Sequence, residues 1–422
     1  MQTIISIVFL LGYAAIVLEH PLRVNKTASA ILTGVMCWLL SMFHSNTDPS
    51  SLLHDLSGHL SSIAEILFFL MGAMTIVELI DAHKGFRIIT GLFKTNSKKK
   101  LMWIICGITF FLSPVLDNLT TAIVMVSLLR KLINEKRERM VMASMIIIAS
   151  NAGGAWSPLG DVTTTMLWIG GQITAVNIVK ELFLPSVISL LVPLAYQSFF
   201  VRGKFLRPEN DSGMPKTAPF SILIFLLGTG VLIFIPVFKT ITHLPPYMGM
   251  LTGLGVLWLV TEIIHAPHEN RKHLRVSHVI SKIDLPSLLF FLGILLAVSA
   301  LEFVGTLKIT ALWLDQLIGN QSLIVTTLGL LSSIIDNVPM VAATMGMYPL
   351  SQFPTDDKLW EMIAFCAGTG GSILIIGSAA GVVVMGMEKI EFFWYLRKIS
   401  ITALLGYFAG ILVYLAEKTL GL

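Results

Sequence analysis

Long apolar runs, separated by short polar or basic segments, dominate the hydropathy pattern of this 422-residue chain. Many of these runs approach or exceed the roughly 20 residues that an α-helix needs to cross a bilayer. The pattern therefore predicts an all-α polytopic membrane protein with about ten spans. The chain opens on Met1-Gln2-Thr3 without a positive region, so we expect the first apolar run to be a span rather than a cleaved signal.

The amino-acid composition agrees with this prediction and excludes a soluble protein. The chain is 55% hydrophobic and only 13% charged, whereas soluble proteins carry about 25% charged residues. The formal net charge of +4 reflects the expected cytoplasmic loops and does not indicate a nucleic-acid partner. Cys37, Cys106 and Cys366 lie in apolar runs without metal-ligand spacing, so we interpret them as small core residues. Nothing in the sequence indicates a cofactor.

The basic residues between the runs predict the topology, because cytoplasmic loops carry an excess of Lys and Arg. The apolar run 101–130 has strongly basic loops on both sides, so both its ends should lie in the cytoplasm. Run 321–353 is flanked by poorly basic loops, so both its ends should lie outside. We therefore expect each to be a re-entrant helical hairpin, with the N-terminus of the chain outside.

The two hairpins face opposite sides of the membrane, and this predicts an inverted repeat. The first repeat should occupy 1–200 and the second 219–422, with a cytoplasmic linker at 201–218. Each hairpin is followed by a glycine-rich span, at 141–171 and at 359–387. Helices at membrane depth can break only where protein or a water-filled cavity satisfies the backbone. We therefore expect both spans to be broken helices.

An Asp-Asn pair stands in the middle of each predicted hairpin, at Asp117-Asn118 and at Asp336-Asn337. Polar groups of this kind are costly in hydrocarbon, so a chain that places them there twice is expected to use them. Carboxylate, amide, hydroxyl and backbone oxygens are hard ligands that suit a small hard cation. We expect two oxygen cages, one in each half. Their predicted members are Ser113, Asp117, Asn118, Gly153 and Gly154, and Ser332, Asp336, Asn337, Gly370 and Gly371.

The two halves differ in acidity. Asp161-Val162-Thr163-Thr164 in the first half corresponds to Ser378-Ala379-Ala380 in the second, and Glu65 lies in the span before the first hairpin. A desolvated carboxylate holds its proton more tightly, so a proton and a cation would compete for it. Such competition is sufficient for exchange. For Glu65 a structural role near the outer interface remains an equal alternative.

The arrangement resembles the ion transporter superfamily, in which two hairpins meet two unwound spans. The closer similarity is to NhaD-type sodium/proton antiporters, in the hairpin Asp-Asn pairs and the stretch Asn151…Asp161-x-Thr163-Thr164. This resemblance implies export of Na⁺ or Li⁺ driven by inward proton flow, in a homodimer within the lipid bilayer of the bacterial inner membrane. It implies a cation and proton site at Ser113, Asp117, Asn118, Asn151, Asp161, Thr163, Thr164, Ser332, Asp336 and Asn337, with Glu65 as a further candidate. The cation itself would be held at Asp117, Asn118, Asp336 and Asn337.

Three other functions fit parts of the sequence. An anion carrier for dicarboxylate or arsenite could share the fold, but apart from Arg130 at the end of the first hairpin, neither hairpin nor broken span contains Lys or Arg. An intramembrane aspartyl protease, the one enzyme considered, would use Gly160-Asp161, but its second Asp requires a Tyr-Asp context that the chain lacks. A channel is the third alternative, although opposed hairpins suit alternating access better.

Overall fold

The computed structural model describes residues 2–17, 19, 23–43, 49–86, 95–201, 203, 218–334 and 336–420. Most of the predicted linker 201–218 lies outside the described residues. The described chain is built from α-helices with short 3₁₀ turns, so the predicted all-α fold is confirmed.

The helices of the first half follow the predicted apolar runs. They are α1 (Gln2–Val17), α2 (Lys26–Met42), α3 (Pro49–Ala82), α4 (Lys98–Leu116), α5 (Asn118–Leu132), α6 (Lys136–Gly154), α7 (Val162–Ile169) and α8 (Ala175–Gln197).

The second half repeats this order and adds further helices between the repeated ones. Its helices are α9 (Ser221–Thr242), α10 (Pro246–His265), α11 (Val276–Val279), α12 (Leu285–Phe303), α13 (Thr306–Ile318), α14 (Gln321–Leu331), α15 (Asn337–Met347), α16 (Lys358–Gly370), α17 (Ala379–Glu388), α18 (Phe392–Lys398) and α19 (Ser400–Leu420). The added helices are α11, α13 and α18.

The first hairpin consists of α4 and α5, and the chain reverses between them at Asp117. The start of α4 and the segment after α5 lie at the same end of the molecule, because Lys98 forms an ion pair with Glu138. We call this the basic end. From there α6 and α7 run across the molecule to the opposite end, where the backbone N–H of Asp356 donates to the carbonyl of Gln172. The second hairpin, α14 and α15, opens toward that opposite end.

Seven helices among the described residues are long and apolar enough to cross a membrane by length and composition. Six are spans in the predicted sense, and the seventh is α4, which is a hairpin arm. The remaining predicted spans are the shorter α1 and α2 and the two broken pairs, α6 with α7 and α16 with α17. The chain is thus a multi-pass membrane protein.

Two segments between the predicted apolar runs are also helical. The α3 helix starts at Pro49 and extends for 34 residues, so most of the segment 44–60 belongs to it. The segment 306–320 contains the whole of α13.

The early helices of the two halves pack against each other as a separate layer beside the hairpins and broken spans. The largest contact within this layer is between α2 and α12. The contact between α10 and α3 is its counterpart, with the two halves exchanged. The α2–α12 crossing is close because Gly34 and Gly293 face each other. A Cβ on Gly34 would lie 2.6 Å from the carbonyl oxygen of Gly293. We call α1, α2, α3, α9, α10 and α12 the outer layer, and the hairpins, broken helices, α8 and α19 the central layer.

Candidate functional site

Four helix N-termini meet in the centre of the molecule, two from the hairpins and two from the broken spans. Each begins with a side chain that accepts a hydrogen bond from its own first turn. The caps are Asp117 for α5, Asp161 for α7, Asp336 for α15 and Ser378 for α17. Three of the four caps are therefore carboxylates, which a helix N-terminus stabilises through its dipole and its unpaired N–H groups.

The hairpin aspartates are held by their own helices. The Asp117 carboxylate accepts from the backbone N–H of Thr120 at 2.8 Å and from the Thr120 hydroxyl at 2.9 Å. Asp117 has a φ of 71°, an unusual backbone conformation for a residue with a side chain, at the reversal of the chain. The Asp336 carboxylate accepts from the backbone N–H of Val338 at 3.3 Å. Both aspartates thus fix the second arm of their hairpin.

The adjacent asparagines reach Asp161, which is the hub of the site. Asn118 Nδ2 donates to Asp161 Oδ2 at 2.5 Å, and Asn337 Nδ2 lies 3.4 Å from both Asp161 oxygens. Asp161 Oδ1 also accepts from the backbone N–H and the hydroxyl of Thr163, at 2.9 and 2.8 Å. Asp161 is 2% exposed, so these contacts replace water around a buried carboxyl group. One carboxyl group therefore joins both hairpins to the first broken span.

Asn151 links this hub to the second broken span. It accepts from Asn118 Nδ2 at 3.1 Å and donates to the hydroxyls of Ser372 and Ser378, at 2.9 and 3.0 Å. Asn151 is fully buried in the last turn of α6. The structure thus forms one connected polar network across both halves, and this network joins members of the two predicted cages.

The predicted serines and glycines lie beside this network, where the hairpins pack on the broken helices. The Ser113 hydroxyl donates to the Ser150 carbonyl at 2.6 Å, and the Ser332 hydroxyl donates to the Gly329 carbonyl at 2.8 Å. A Cβ on Gly153 would lie 2.4 Å from the Phe110 carbonyl oxygen. A Cβ on Gly370 would lie 2.1 Å from the carbonyl oxygen of Gly329. These two glycines permit the close helix contacts that bring the asparagines to the centre.

The other predicted glycines allow the broken spans to fold back on themselves. A Cβ on Gly154 would lie 2.3 Å from the Gly160 carbonyl oxygen, and one on Gly371 would lie 2.8 Å from that of Gly377. Thr164 is buried next to the hub, and its hydroxyl donates to the backbone carbonyl of Asp161 at 2.9 Å. Glu65 is absent from every hydrogen bond of the network and instead lies within electrostatic range of Lys239.

The three carboxylates act on one another across the site. Asp161 lies within electrostatic range of both Asp117 and Asp336. Among the described residues, no group of three or more His, Cys, Asp or Glu side chains converges tightly enough to hold a metal by itself. Lys26 of α2 acts on Asp336 from the outer layer. Any small cation here would be held mainly by amide, hydroxyl and backbone oxygens around one or two carboxylates.

A buried ion pair that the sequence did not reveal connects the two halves at the basic end. Glu388, at the end of α17, accepts from Arg130 Nε at 2.7 Å and from Arg139 Nε at 2.6 Å. Its side chain is fully buried, whereas that of Arg130 is 42% exposed. This bridge attaches the second broken span to the first hairpin, so these elements are held as one unit. Sequence spacing contains no signal for a pair so distant along the chain.

A cavity of about 590 Å³ leads from the basic end toward the site. It follows one face of α5 from Leu128 to Thr120, whose hydroxyl binds Asp117. The opposite wall comes from the outer layer and includes Glu78, Asp81 and Asp284. The cavity thus lies between the two layers and extends to the turn of the first hairpin.

Comparison with known proteins agrees with this geometry. Residues 13–360 match the family described as "Citrate transporter", CitMHS. The chain is 52% identical to "Sodium/proton antiporter 1" of Arabidopsis thaliana over 417 residues, which cover 98% of this chain and 72% of that protein. It is 31% identical to "Na(+)/H(+) antiporter NhaD" of Vibrio cholerae over 453 residues, covering 97% of this chain and 90% of that one.

A solved structure supports the fold. The YdaH transporter of Alcanivorax borkumensis superposes with a TM-score of 0.60 at 12% sequence identity, covering 94% of this chain and 99% of that one. At this identity the likeness concerns the fold alone. The family matches confirm the resemblance predicted from the Asp-Asn pairs. The chain therefore belongs to the citrate transporter (CitMHS) family of membrane transporters and is a relative of the NhaD-type sodium/proton antiporters.

Proposed function

We propose that the protein is a secondary sodium/proton antiporter that exports Na⁺, and also Li⁺, in exchange for H⁺. The observation that carries the proposal is that three of the four helix N-termini at the centre are capped by the chain's own carboxylates. The names of the relatives support the same substrates.

The capping carboxylates favour a positively charged substrate. A helix N-terminus is a ready anion site, because its unpaired N–H groups and its dipole both favour negative charge. Here Asp117, Asp161 and Asp336 already occupy these positions. Their oxygens would repel a second anion but attract a small hard cation, together with the amide oxygens of the network. The site therefore favours Na⁺ over a dicarboxylate.

Exchange follows from competition at Asp161. The carboxyl group is buried and hydrogen-bonded to neutral donors, namely Asn118, Thr163 and Asn337. In such a setting a bound proton removes the charge that a cation needs, and a bound cation favours loss of the proton. Only one of the two is carried at a time, so inward proton flow drives outward Na⁺ movement.

Alternating access is the transport step that this fold supports. The cavity reaches Thr120 from the basic end, so the present conformation admits ions from that side. By the positive-inside rule the basic end faces the cytoplasm, which places the N-terminus outside. The central layer would then move against the outer layer to expose the site to the other side. We propose a homodimer in the lipid bilayer of a bacterial inner membrane, joined through the outer layer, with the first repeat at 1–200 and the second at 219–422.

An anion carrier is the second candidate, and two observations favour it. The family description names citrate, and Lys26 lies within electrostatic range of Asp336. A lysine in this position could act as a counter-charge to a carboxylate substrate. The three acidic caps argue against this function, so the same experiment should test both candidates.

The test is proton flux in proteoliposomes that hold an imposed pH gradient, on addition of NaCl, LiCl, KCl or sodium citrate. We expect Na⁺ and Li⁺ to dissipate the gradient. Asp161→Asn should abolish the response, and Asp117→Asn and Asp336→Asn should reduce it strongly. Asp315→Asn is the matched control, since Asp315 is an exposed carboxylate on α13.

Each outcome distinguishes the candidates. A response to citrate but not to NaCl or LiCl would replace antiport by anion transport. A Na⁺ response that is unchanged in Asp161→Asn would remove the hub from the mechanism. Loss of response in Asp315→Asn as well would point to a folding defect, which size-exclusion chromatography of the variants would reveal.

A further inference from the structure

The contact between the two layers differs at the two ends of the molecule. At the basic end the layers are separated by the cavity along α5. At the opposite end they touch through Lys239, near the end of α9, and Trp168, near the end of α7. The short turn at 243–245 joins α9 to α10, and α10 returns to the basic end, where His265 meets His83 of the segment after α3. Lys239 therefore lies at the end remote from the cavity.

Lys239 caps the C-terminus of a broken helix. Its ammonium group donates to the carbonyl of Trp168 at 2.8 Å and lies 4.7 Å from the centre of the indole ring. The Trp168 carbonyl also accepts from the backbone N–H of Gly171 at 3.3 Å, and a cation at this end of α7 is favoured by the helix dipole. The contact thus combines a charge-assisted hydrogen bond with a cation–π interaction.

The surroundings of this contact come from the outer layer. The ring of Phe69 on α3 meets the Trp168 indole edge-on, with ring centres 6.3 Å apart. Glu65 lies one turn earlier on α3, is partly buried and acts electrostatically on Lys239. Lys239 thus has two competing partners, a carbonyl on the central layer and a carboxylate on the outer layer.

From this geometry we infer that Lys239 is the latch that keeps the outer side of the transporter closed. While its ammonium group binds the α7 terminus, the central layer is held against the outer layer at this end and open at the other. When the central layer moves, the ammonium group of Lys239 transfers to Glu65. The Glu65 carboxylate then provides its counter-charge. Glu65 then belongs to the latch rather than to the cation site. This inference rests on the alternating access proposed above.

The latch can be tested without measuring transport. The substitution Ile123→Cys places a thiol in the cavity wall, at a side chain that is 36% exposed. Its reaction with a membrane-impermeant thiol reagent in inside-out vesicles reports access from the basic end. The native Cys37, Cys106 and Cys366 are buried, and each would be replaced by Ala or Ser to remove background. In Lys239→Met the latch is lost, so inward-open molecules become fewer and labelling of the introduced cysteine slows by at least about threefold.

Three variants make the test specific. Lys239→Arg keeps a cationic donor and should retain the original labelling rate. Glu65→Gln removes the competing carboxylate, so its labelling should be unchanged or faster. Lys308→Met, at an exposed lysine on α13, is the control for loss of a charge and should have no effect.

Unchanged labelling in a well-folded Lys239→Met would overturn the latch, as would slower labelling in Glu65→Gln. Neither result would bear on which ion is carried. Conversely, failure of Na⁺ to dissipate a proton gradient would refute antiport and leave the labelling result interpretable. Size-exclusion chromatography of Lys239→Met and Lys239→Arg separates misfolding from a shift between conformations.

Discussion

Asn118 on the first hairpin donates a hydrogen bond from Nδ2 to Oδ2 of Asp161 on the first broken span, at 2.5 Å. Both side chains are buried, at 5% and 2% exposure. The asparagine thereby orients the only acidic cap that contacts both hairpins among the described residues.

We expect Asn118→Ala to weaken Na⁺ binding more than it slows maximal transport. A hydrogen bond to a charged group contributes about 1.5–3 kcal/mol, so the apparent KM for Na⁺ should rise roughly tenfold or more. Proteoliposome flux at varied NaCl would measure the change. Asn134→Ala, at an exposed asparagine before α6, serves as the control. An unchanged KM in Asn118→Ala would show that the carboxyl group needs no orientation.

The Gly370→Ala variant should be destabilised, because its Cβ would lie 2.1 Å from the Gly329 carbonyl oxygen. Two packed backbones must then separate, which typically costs about 1–3 kcal/mol. Gly386→Ala is the matched control on α17, because its Cβ would point into open space and alanine is the better helix former. We expect a lower thermal midpoint only in Gly370→Ala. Equal midpoints would mean that the hairpin can move away from α16 at no cost.

Glu388→Gln should loosen the attachment of α17 to the first hairpin. Removing one partner of a buried ion pair costs about 3–5 kcal/mol, because it leaves the other partner without compensation. We expect the lower part of this range, since Arg130 is 42% exposed and can be hydrated. Thermal unfolding followed by tryptophan fluorescence would measure it, with Glu391→Gln as an exposed control. A midpoint like that of the unmodified protein would contradict the structural role of this bridge.

The His83–His265 pair predicts a loss of stability in acid. The two Nε2 atoms lie 3.0 Å apart, and His83 Nδ1 lies 2.8 Å from the Leu79 carbonyl, so His83 Nδ1 is the donor and its Nε2 accepts from His265. Burial lowers the pKa of His83. The folded state therefore takes up the proton less readily than the unfolded chain, so stability is fully present above pH about 6.5 and declines as the pH falls toward the lowered pKa.

Thermal midpoints between pH 7.5 and 5.5 would test this expectation. The decline should be smaller in His83→Gln, which cannot be protonated, and unchanged in His54→Gln, at an exposed histidine on α3. A decline of equal size in all three proteins would assign the acid sensitivity to other groups.

The sequence was sufficient to predict the helical class, the hairpin turns and the breaks at the glycine-rich spans. These features follow from local rules, namely that hydrocarbon excludes unpaired polar groups and that basic loops stay on one side. The Asp-Asn pairs lie at the hairpin turns, and within each pair the Asp and the Asn make different contacts. Because a carboxylate caps the helix that it precedes, Asp117 and Asp336 are held locally, and the asparagines extend to Asp161.

Contacts between distant segments could not be predicted. Nothing near Asn151 indicates that it meets Ser372 and Ser378, because this meeting depends on how two broken helices cross. Glu65 was a further candidate for the cation site, with a structural role as an equal alternative, and in the structure it acts electrostatically on Lys239 of another helix. The glycines were expected to offer backbone oxygens to a cation, which stays a prediction, and the structure shows the close approaches that they permit.

The bridge from Glu388 to Arg130 and Arg139 has a consequence for the order of biosynthesis. The arginines are made with the first half of the chain, and their carboxylate partner arrives only near its end. During translation the two arginines therefore have no carboxylate partner until α17 is made. Anionic lipid headgroups can neutralise their charges in the meantime. The ion pair that attaches the first hairpin to α17 forms only after α17 has been inserted. A nascent chain that stops before Glu388 therefore lacks the carboxylate that pairs with the two arginines of its first half.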